Sequence, residues 1–202
     1  MTQKMSNEER RKGIGSSDAN TIMRGDWLDL IKIKKGEMNP PTLEDIFKVQ
    51  LGTYTESFNI KWLQKIWKKK YKDSFIEAAD PNSYIEKQLP IGKDKLTLYA
   101  NPDGWLLRNG TKKHFTGVVE CKHTYSGNTW DNIIESYYPQ IHHQMFVTDS
   151  PECVLSIICG NDFRFKIIKY DPNYAEELIA MEKEFWYNII GGKNGVNQNK
   201  NT

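Results

Sequence analysis

The sequence predicts a single α/β domain in which helices flank a central mixed β-sheet. Its 202 residues, of which 38% are hydrophobic, are enough for one substantial core. Apolar residues follow helical spacing in the first third of the chain, and a run of segments typical of strands comes next. Helices and strands then alternate up to a C-terminal helix. Without internal repeats, this order favours one layered domain built around one sheet.

Three helices are predicted before the first strand. Ser16 or Ser17 is expected to cap a short helix, and Asp26 is expected to cap a second one over residues 27–35. Thr42 is expected to open a long third helix, because an acidic residue three positions later completes a pattern like a capping box. The first third of the chain therefore supplies helices that can cover a sheet.

The remainder of the chain is predicted to supply the sheet and two further helices. Strands are expected over residues 84–89, 96–100, 104–108, 115–122, 152–159 and 163–170. Asn109-Gly110 is a strong signal for a hairpin turn, and a helix is expected over residues 129–148. Asp171-Pro172 then opens the last helix, because proline is favoured in the first helical turn.

The domain is expected to occupy residues 13–190. Residues 1–12 are polar and charged and are predicted to be flexible, and residues 191–202, rich in Asn, Gly and Lys, are predicted to be disordered. The N-terminus lacks the apolar stretch of a signal peptide, and no apolar run approaches the ~20 residues of a membrane helix. A cytoplasmic protein without membrane contact is therefore expected.

The cysteines, histidines and glycines argue against several classes of site. Three cysteines without close pairing favour neither a disulfide framework nor a zinc knuckle. His142 and His143 would point ~100° apart on a helix and could not chelate one metal together, so a packed or surface role is expected for them. No GxxxxGK[ST] loop occurs, so ATPase activity is not expected.

The net charge of +2 excludes no class of partner, because a nucleic-acid-binding protein can concentrate its positive charge in one patch. Six lysines do crowd residues 61–72, where they alternate with Trp62, Trp67 and Tyr71. This pattern is typical of the solvated C-terminal end of a helix, where cations are favoured. It is also compatible with a surface that binds nucleic acid.

An acid at a bend and a strand with two charged residues form the candidate site. The Asn-Pro-Asp-Gly sequence of residues 101–104 is typical of a turn, and it places Asp103 between two predicted strands. Glu120 and Lys122 lie two positions apart on the next predicted strand, so their side chains share one face. Each feature alone is weak, but together they form the arrangement that a metal-dependent phosphodiesterase needs.

The chemistry of these residues favours a magnesium site. Two neighbouring carboxylates repel each other unless a cation lies between them. Mg²⁺ takes oxygen ligands and keeps several waters, and the main-chain carbonyl of Cys121 could be a further ligand. The metal would lower the pKa of a bound water and stabilise charge on a phosphate. Lys122 could orient or deprotonate that water, or neutralise the phosphate, and the sequence does not choose between these roles.

A family resemblance follows from these motifs. Residues 101–104 and the Val-Glu-Cys-Lys sequence of residues 119–122 resemble the catalytic core of the PD-(D/E)XK nucleases, which implies a restriction-endonuclease-like fold. Three further motifs resemble the YqaJ-type viral recombinases, the phage lambda exonuclease family. They are GIGSSD at residues 13–18, LGTYTE at residues 51–56 and YYPQIHHQM at residues 137–145.

The resemblance implies a role for each matched residue of the catalytic site. Asp103 and Glu120 are expected to ligate the metal, which is Mg²⁺ with Mn²⁺ as a substitute, and Lys122 is the expected catalytic lysine. Glu56 is expected to add an acid to the metal site, directly or through water. Gln140 is expected to lie beside the lysine or the metal-bound waters.

The resemblance also implies a substrate and partners. Arg10 or Arg11, together with Ser16 and Ser17, is expected to contact the 5′-phosphate of DNA, and the spacing leaves the choice of arginine open. The expected activity is 5′-to-3′ hydrolysis of linear double-stranded DNA, which leaves a 3′ single strand for recombination. A homo-oligomeric ring, a trimer or a tetramer, and a single-strand annealing protein are the expected partners.

Three alternatives remain open at this point. The same core could carry a structure-specific or sequence-specific DNA endonuclease. A catalytically inactive DNA-binding module could keep the fold without the activity. A general interaction domain could match the motifs by chance.

Overall fold

The computed structural model describes residues 5–108 and 115–191, so the predicted Asn109-Gly110 turn and the predicted disordered tail from residue 192 lie outside the described residues. The helices are α1 (Asn7–Arg11), α2 (Ser16–Met23), α3 (Trp27–Lys35), α4 (Phe47–Lys70), α5 (Trp130–Thr148) and α6 (Pro172–Ile190). The strands are β1 (Ile14–Gly15), β2 (Ser74–Ala78), β3 (Ile85–Ile91), β4 (Asp94–Ala100), β5 (Gly104–Arg108), β6 (Phe115–Thr124), β7 (Glu152–Cys159) and β8 (Asp162–Lys169). None of the described helices is long and apolar enough to cross a membrane.

The strands form two mixed sheets, and this confirms the predicted α/β class of fold. One sheet has the order β1-β4-β3, and the other has the order β2-β5-β6-β7-β8. The pairs β1–β4 and β6–β7 are parallel, and the other pairs are antiparallel. The sequence predicted one central sheet, whereas the structure divides the strands between a three-stranded and a five-stranded sheet. The chain turns at residues 101–103, so that β5 joins a different sheet from β4.

The structure corrects two predicted helix starts. Gly15, and not Ser16 or Ser17, is the N-cap residue of α2, and its N–H donates to Asp18 Oδ2 at 2.8 Å. The long helix α4 begins at Phe47, five residues after Thr42. Residues 43–46 form a turn instead, closed by a hydrogen bond from the N–H of residue 46 to the carbonyl of residue 43 at 3.2 Å.

Three short elements were not predicted from the sequence. The strands β1 and β2 are short, and each becomes a strand by pairing with β4 or β5. The helix α1 lies within residues 1–12 and is capped by Ser6 and Glu9. The Glu9 N–H donates to Ser6 Oγ at 3.2 Å, and the Ser6 N–H donates to Glu9 Oε2 at 2.7 Å. The flexibility of residues 1–12 as a whole stays a prediction.

The larger sheet is covered on both faces, which places β6 and β7 in the core. The helix α5 packs on one face with Ile141 and Met145, and α4 packs on the other face with Leu63 and Trp67. Nearly all side chains of β7 are therefore buried, as expected for a central strand with both faces covered. A third cluster joins α6, α2 and the smaller sheet. Helices thus approach the charged residues of β6 from both sides.

Asn59 fixes α4 against the larger sheet. Its buried amide donates to the carbonyl oxygens of Lys122 and Ser156, at 3.2 Å each, and its Oδ1 accepts from Ser156 Oγ at 2.6 Å. A helix therefore holds the backbone of β6 at the residue that carries the candidate catalytic lysine.

Replacement of Asn59 by alanine should destabilise the fold. It removes three buried hydrogen bonds, and buried polar groups left without partners are costly, so we expect a loss of roughly 2–4 kcal/mol in the free energy of unfolding. Urea denaturation measures this loss. Ser57→Ala, at an exposed position of the same helix, is the matched control and should have little effect. An equal effect of both substitutions would contradict the prediction.

Candidate active site

The predicted catalytic residues come together where β6 passes the bend before β5. Glu120 and Lys122 lie on one face of β6, and the Lys122 ammonium contacts Glu120 Oε1 at 2.5 Å. Asp103 lies in the bend, and its N–H donates to the carbonyl of Val119 at 3.0 Å. Asp103 Oδ2 accepts from the Cys121 N–H at 2.6 Å. Two hydrogen bonds to β6 therefore hold Asp103 next to Glu120.

Gly104 allows the bend to fit tightly between its neighbours. A Cβ atom at this position would lie 2.7 Å from the carbonyl oxygen of Glu77 and 2.8 Å from the Cδ1 atom of Ile60. Both distances are shorter than real Cβ contacts allow, so only glycine lets β5 start so close to β2 and α4. The Asp-Gly pair thus combines a functional acid with the residue that permits its placement.

The Glu120 carboxylate is buried and receives three donors. Gln140 Nε2 donates to Glu120 Oε1 at 2.5 Å, and Gln144 Nε2 donates to Glu120 Oε2 at 2.8 Å. Lys122 supplies the third contact. Gln140 and Gln144 lie four positions apart on α5 and therefore share one face of the helix. Gln144 was missed from the sequence, although its spacing from Gln140 was a usable signal.

Gln140 is itself positioned by α2. Pro139, which lacks an N–H, lies inside α5 directly before it. The N–H of Gln140 donates to Asn20 Oδ1 at 3.1 Å. The helix that follows the glycine–serine motif therefore holds the residue that contacts Glu120. Asn20 is a second residue of the site that the sequence did not single out.

The charged groups of the site shift one another's pKa values. Burial raises the pKa of Asp103 well above its usual range, and the charges of Glu120 and Glu56 raise it further, against the opposing effects of Lys122 and the Cys121 N–H. Burial alone would lower the pKa of Lys122, but the charges of Glu120 and Asp103 outweigh it and raise this pKa. The site therefore holds a protonated lysine beside carboxyl groups that repel one another.

Glu56 lies on α4 where this helix meets the end of β6. Its side chain is exposed, and its charge acts on Asp103. Its neighbour Thr55 contacts His123 through Oγ1 and Nδ1 at 3.0 Å. The helix thus brings a further acid close enough to act on Asp103, and the role of Glu56 at a metal site stays a prediction.

The donor set of these residues fits a hard divalent cation. Among the residues that the structure describes, no group of three or more His, Cys, Asp or Glu side chains is arranged as a complete metal cage. Mg²⁺ does not need such a cage, because it is commonly bound through one or two carboxylates together with waters and substrate phosphates. Asp103 and Glu120 offer two carboxylates whose repulsion a cation would relieve.

One cavity joins the catalytic residues to the N-terminal motif. It has a volume of about 340 Å³ and is lined by Asp103, Glu120, Lys122, Gln140, Arg10, Ser16 and Ser17, among others. Arg11 is directed elsewhere, and its Nη2 donates to Asn39 Oδ1 at 3.0 Å. Of the two arginines that the sequence left open, Arg10 is therefore the one that lines the cavity.

A buried lysine holds the N-terminal wall of this cavity. Lys34 Nζ donates to the carbonyl of Arg10 at 2.8 Å and contacts Asp18 Oδ2 at 2.6 Å. The same Asp18 oxygen accepts the N–H of Gly15. Lys34 thus joins the end of α1 to the start of α2. The sequence could not distinguish it from Lys32 and Lys35 on the same helix, since only packing buries one of the three.

The two neighbouring histidines are packed residues. His142 is buried, and its Nε2 accepts from the N–H of Asp171 at 3.2 Å. His143 is also buried between Glu182 Oε1, 2.6 Å from its Nδ1, and the carbonyl of Tyr99, 3.0 Å from its Nε2. Burial alone would lower the pKa of His143, but the charge of Glu182 outweighs it and raises this pKa. His143 therefore links α5, α6 and β4 from behind the cavity.

Comparison with known proteins places these features in a family. The model of the YqaJ-like viral recombinase domain matches residues 7–151. An uncharacterized protein, YqaJ of Bacillus subtilis (strain 168), is 28% identical over 206 residues, which cover 92% of this chain. They cover 56% of that protein, so the chain spans little more than half of its curated relative.

Solved structures share the fold at low sequence identity. The alkaline exonuclease LHK-Exo of Laribacter hongkongensis, in its structure in complex with dAMP, superposes with a TM-score of 0.61 at 16% identity, over 92% of this chain and 91% of that one. A phage related exonuclease from Haemophilus somnus 129PT superposes with a TM-score of 0.52 at 11% identity, over 96% and 98% of the two chains. These likenesses confirm the restriction-endonuclease-like fold.

Asp103→Asn should stabilise the metal-free protein at high pH. Because folding raises the pKa of Asp103, the folded state is penalised once the pH rises above the ordinary pKa of about 3.8 and through the raised value. Asparagine removes that penalty and can still accept the Cys121 N–H. In EDTA, we therefore expect a higher Tm than wild type at pH 8.5 and a smaller difference at pH 5, measured by thermal unfolding.

The exposed Asp94 at the other end of β4 provides the control for this experiment. Asp94→Asn should leave the Tm nearly unchanged at both pH values. A wild-type protein that is more stable than Asp103→Asn at pH 8.5 in EDTA would show that the Asp103 carboxylate is not under electrostatic strain.

Proposed function

Since the chain belongs to the YqaJ-like viral recombinase domain family, we propose that it is a divalent-metal-dependent exonuclease that acts on linear double-stranded DNA. The observation that carries this proposal is the single cavity in which Asp103, Glu120 and Lys122 meet Arg10 and Ser17. A cavity with carboxylates at one end and phosphate-binding groups at the other suits the hydrolysis of a phosphodiester near a DNA end. The exonuclease fold of the structural relatives supports the same activity.

Asp103, Glu120 and the main-chain carbonyl of Cys121 would hold Mg²⁺, with Mn²⁺ as a substitute, and Glu56 would add a carboxylate directly or through water. When bound, the metal supplies an acidified water and stabilises charge on the phosphate oxygens. Burial and the neighbouring charges of Glu120 and Glu56 raise the pKa of Asp103, which supports this assignment, because a cation would relieve the repulsion. Gln140 and Gln144 keep the Glu120 carboxylate in one orientation.

Lys122 acts as a fixed positive charge in this proposal. Its raised pKa favours the protonated ammonium, which suits the neutralisation of charge that develops on the phosphate. Charge neutralisation and the orientation of a water, two of the roles that the sequence left open, both suit this protonated form. The contact with Glu120 keeps the ammonium beside that carboxylate.

Arg10 and Ser17 would bind the terminal 5′-phosphate at the N-terminus of α2. Helix N-termini favour anions, and the Arg10 guanidinium adds a positive charge. Ser17 is exposed, whereas Ser16 is buried and its hydroxyl donates to the carbonyl of Tyr99 at 3.3 Å. These observations favour Ser17 over Ser16 as the phosphate ligand. A phosphate held at this end would direct hydrolysis from 5′ to 3′.

The biological setting is proposed from the family. Degradation of one strand from the 5′ end would leave a 3′ single strand, which a single-strand annealing protein could pair during recombination. A homo-oligomeric ring, trimeric or tetrameric, would keep DNA threaded, and the cytoplasm would be the site of action. The chain spans little more than half of its curated relative, so the partners of the whole protein are proposed for this chain and are not taken over from the relative.

Hydrolysis assays on linear and circular duplex DNA test the proposal. Wild-type protein with Mg²⁺ should degrade linear DNA, leave a covalently closed circle intact and lose activity in EDTA. Lys122→Ala should reduce the rate by at least a hundredfold, because it removes a charge that acts on the transition state. Lys35→Ala, at an exposed position of α3, is the matched control. Rapid cleavage of the circle would indicate an endonuclease, and the absence of hydrolysis with either metal would indicate a DNA-binding module.

Lys34→Met should weaken the preference for a 5′-phosphate. Methionine keeps the volume of the buried chain but removes the contacts to the Arg10 carbonyl and Asp18, so the phosphate-binding wall should loosen. We expect the KM for 5′-phosphorylated ends to rise about tenfold, while the rate on 5′-hydroxyl ends changes little. Steady-state kinetics on both substrates measures this difference.

The exposed Lys32 on the same helix provides the control, and Lys32→Met should behave as wild type. An equal loss of activity on both kinds of end would mean that Lys34 supports the fold in general. It would not then position the phosphate site.

A further inference from the structure

The helix α4 has a second apolar face that points away from the core. Phe47, Leu51, Tyr54 and Phe58 recur every three or four residues, so they lie in one stripe along the helix. Phe47, Tyr54 and Phe58 are 78%, 82% and 57% exposed. The opposite side of the helix is the one that packs on the sheet. An apolar stripe on the exposed side is unfavourable in water and indicates a binding surface.

The same stripe continues into a stacked ladder of rings and lysines. The rings of Phe58 and Trp62 are stacked with centroids 6.0 Å apart and an interplanar angle of 20°. The Lys65 ammonium lies 4.6 Å from the centroid of the Trp62 ring. Lys69 extends the spacing by one more turn. We call the stripe of Phe47, Leu51, Tyr54, Phe58, Trp62, Lys65 and Lys69 the outer face of α4.

The charge of α4 favours a polyanion as the occupant of this face. The helix carries six lysines and a single acidic residue, Glu56. Symmetric pairing of two copies through the same face would bring lysines together without acidic partners, so the charge argues against such a pairing. Aromatic rings interleaved with lysines are instead the combination that binds single-stranded nucleic acid, since rings stack on bases and lysines follow the backbone.

The helix α4 also contacts the strand of the candidate active site. Thr55 and Asn59, which directly follow Tyr54 and Phe58 in the chain, contact His123 and the carbonyl of Lys122 at the end of β6. The helix that carries the outer face is therefore anchored to the strand that bears Glu120 and Lys122. A duplex hides the faces of its bases, whereas a single strand exposes them to stacking.

We propose that the outer face of α4 binds the single-stranded DNA that the nuclease leaves behind, by stacking bases on Tyr54 and Phe58 while Lys65 and Lys69 contact phosphates. This inference rests on the proposed function for the origin of the strand. The lysines crowded at residues 61–72 thereby gain a role beyond that of a solvated helix end. Retention of the product strand would keep the enzyme on its substrate between successive cuts.

Binding of a fluorescent oligothymidylate to the full chain in EDTA tests this inference without hydrolysis. Tyr54→Ala and Phe58→Ala should each weaken the affinity by about tenfold, as for other stacked bases. The plot of log affinity against log salt concentration has a negative slope, and Lys65→Gln should make this slope shallower by about 0.7, since one phosphate contact is lost. Tyr187→Ala and Lys35→Gln, at exposed positions of α6 and α3, are the matched controls and should stay within twofold of wild type.

Two outcomes would overturn the inference. One is an unchanged affinity for the oligonucleotide in Tyr54→Ala and Phe58→Ala. The other is that the same substitutions dissociate an oligomer in sedimentation experiments while the DNA affinity per protomer stays unchanged. That result would identify the face as an interface between copies of the chain. Hydrolysis of linear duplex by wild type in Mg²⁺ is measured in parallel. If wild type hydrolyses the duplex but the two substitutions do not weaken oligonucleotide binding, only this inference is refuted. If the substitutions weaken binding but wild type does not hydrolyse the duplex, only the proposed nuclease activity is refuted.

Discussion

The buried Glu120 carboxylate is the interaction on which the site depends. Removal of a carboxylate from water costs several kcal/mol unless charged and hydrogen-bonded partners compensate. Here Lys122 comes from the same strand, whereas Gln140 and Gln144 come from α5, so compensation requires β6 and α5 to meet in one register. The N–H of Gln140 extends the constraint to Asn20 on α2. One charged group thus ties together elements that are distant in the chain.

Electrostatic strain remains after these contacts are made, and it lies at Asp103. This residue is held by the bend and by the Cys121 N–H, where burial and the charges of Glu120 and Glu56 raise its pKa. A fold selected for stability alone would separate these acids. Their proximity supports the proposed metal site, because a bound cation would relieve the repulsion. Strain of this kind is typical of functional sites, where it is offset by the surrounding structure.

The two ends of the cavity are held by different parts of the fold. The carboxylate end depends on the larger sheet, α4 and α5. Asn59 bonds α4 to the backbone of β6 and β7. The wall formed by Arg10, Ser16 and Ser17 depends on α1, α2 and α3, which Lys34 joins through Arg10 and Asp18. The bond from the Gln140 N–H to Asn20 joins the two groups of elements, because it links α5 to α2. This packing brings motifs that are distant in the sequence to one cavity.

The sequence by itself determined the α/β class, most of the long elements and the grouping of Asp103, Glu120 and Lys122, because strand alternation and turn chemistry are local properties. It predicted the match to the family, which the comparison confirmed. Only the tertiary structure divided the strands into two sheets, moved the start of α4 to Phe47 and directed Arg10 toward the cavity. Which of several similar side chains is buried or faces a site depends on contacts between distant segments, and local patterns do not encode those contacts.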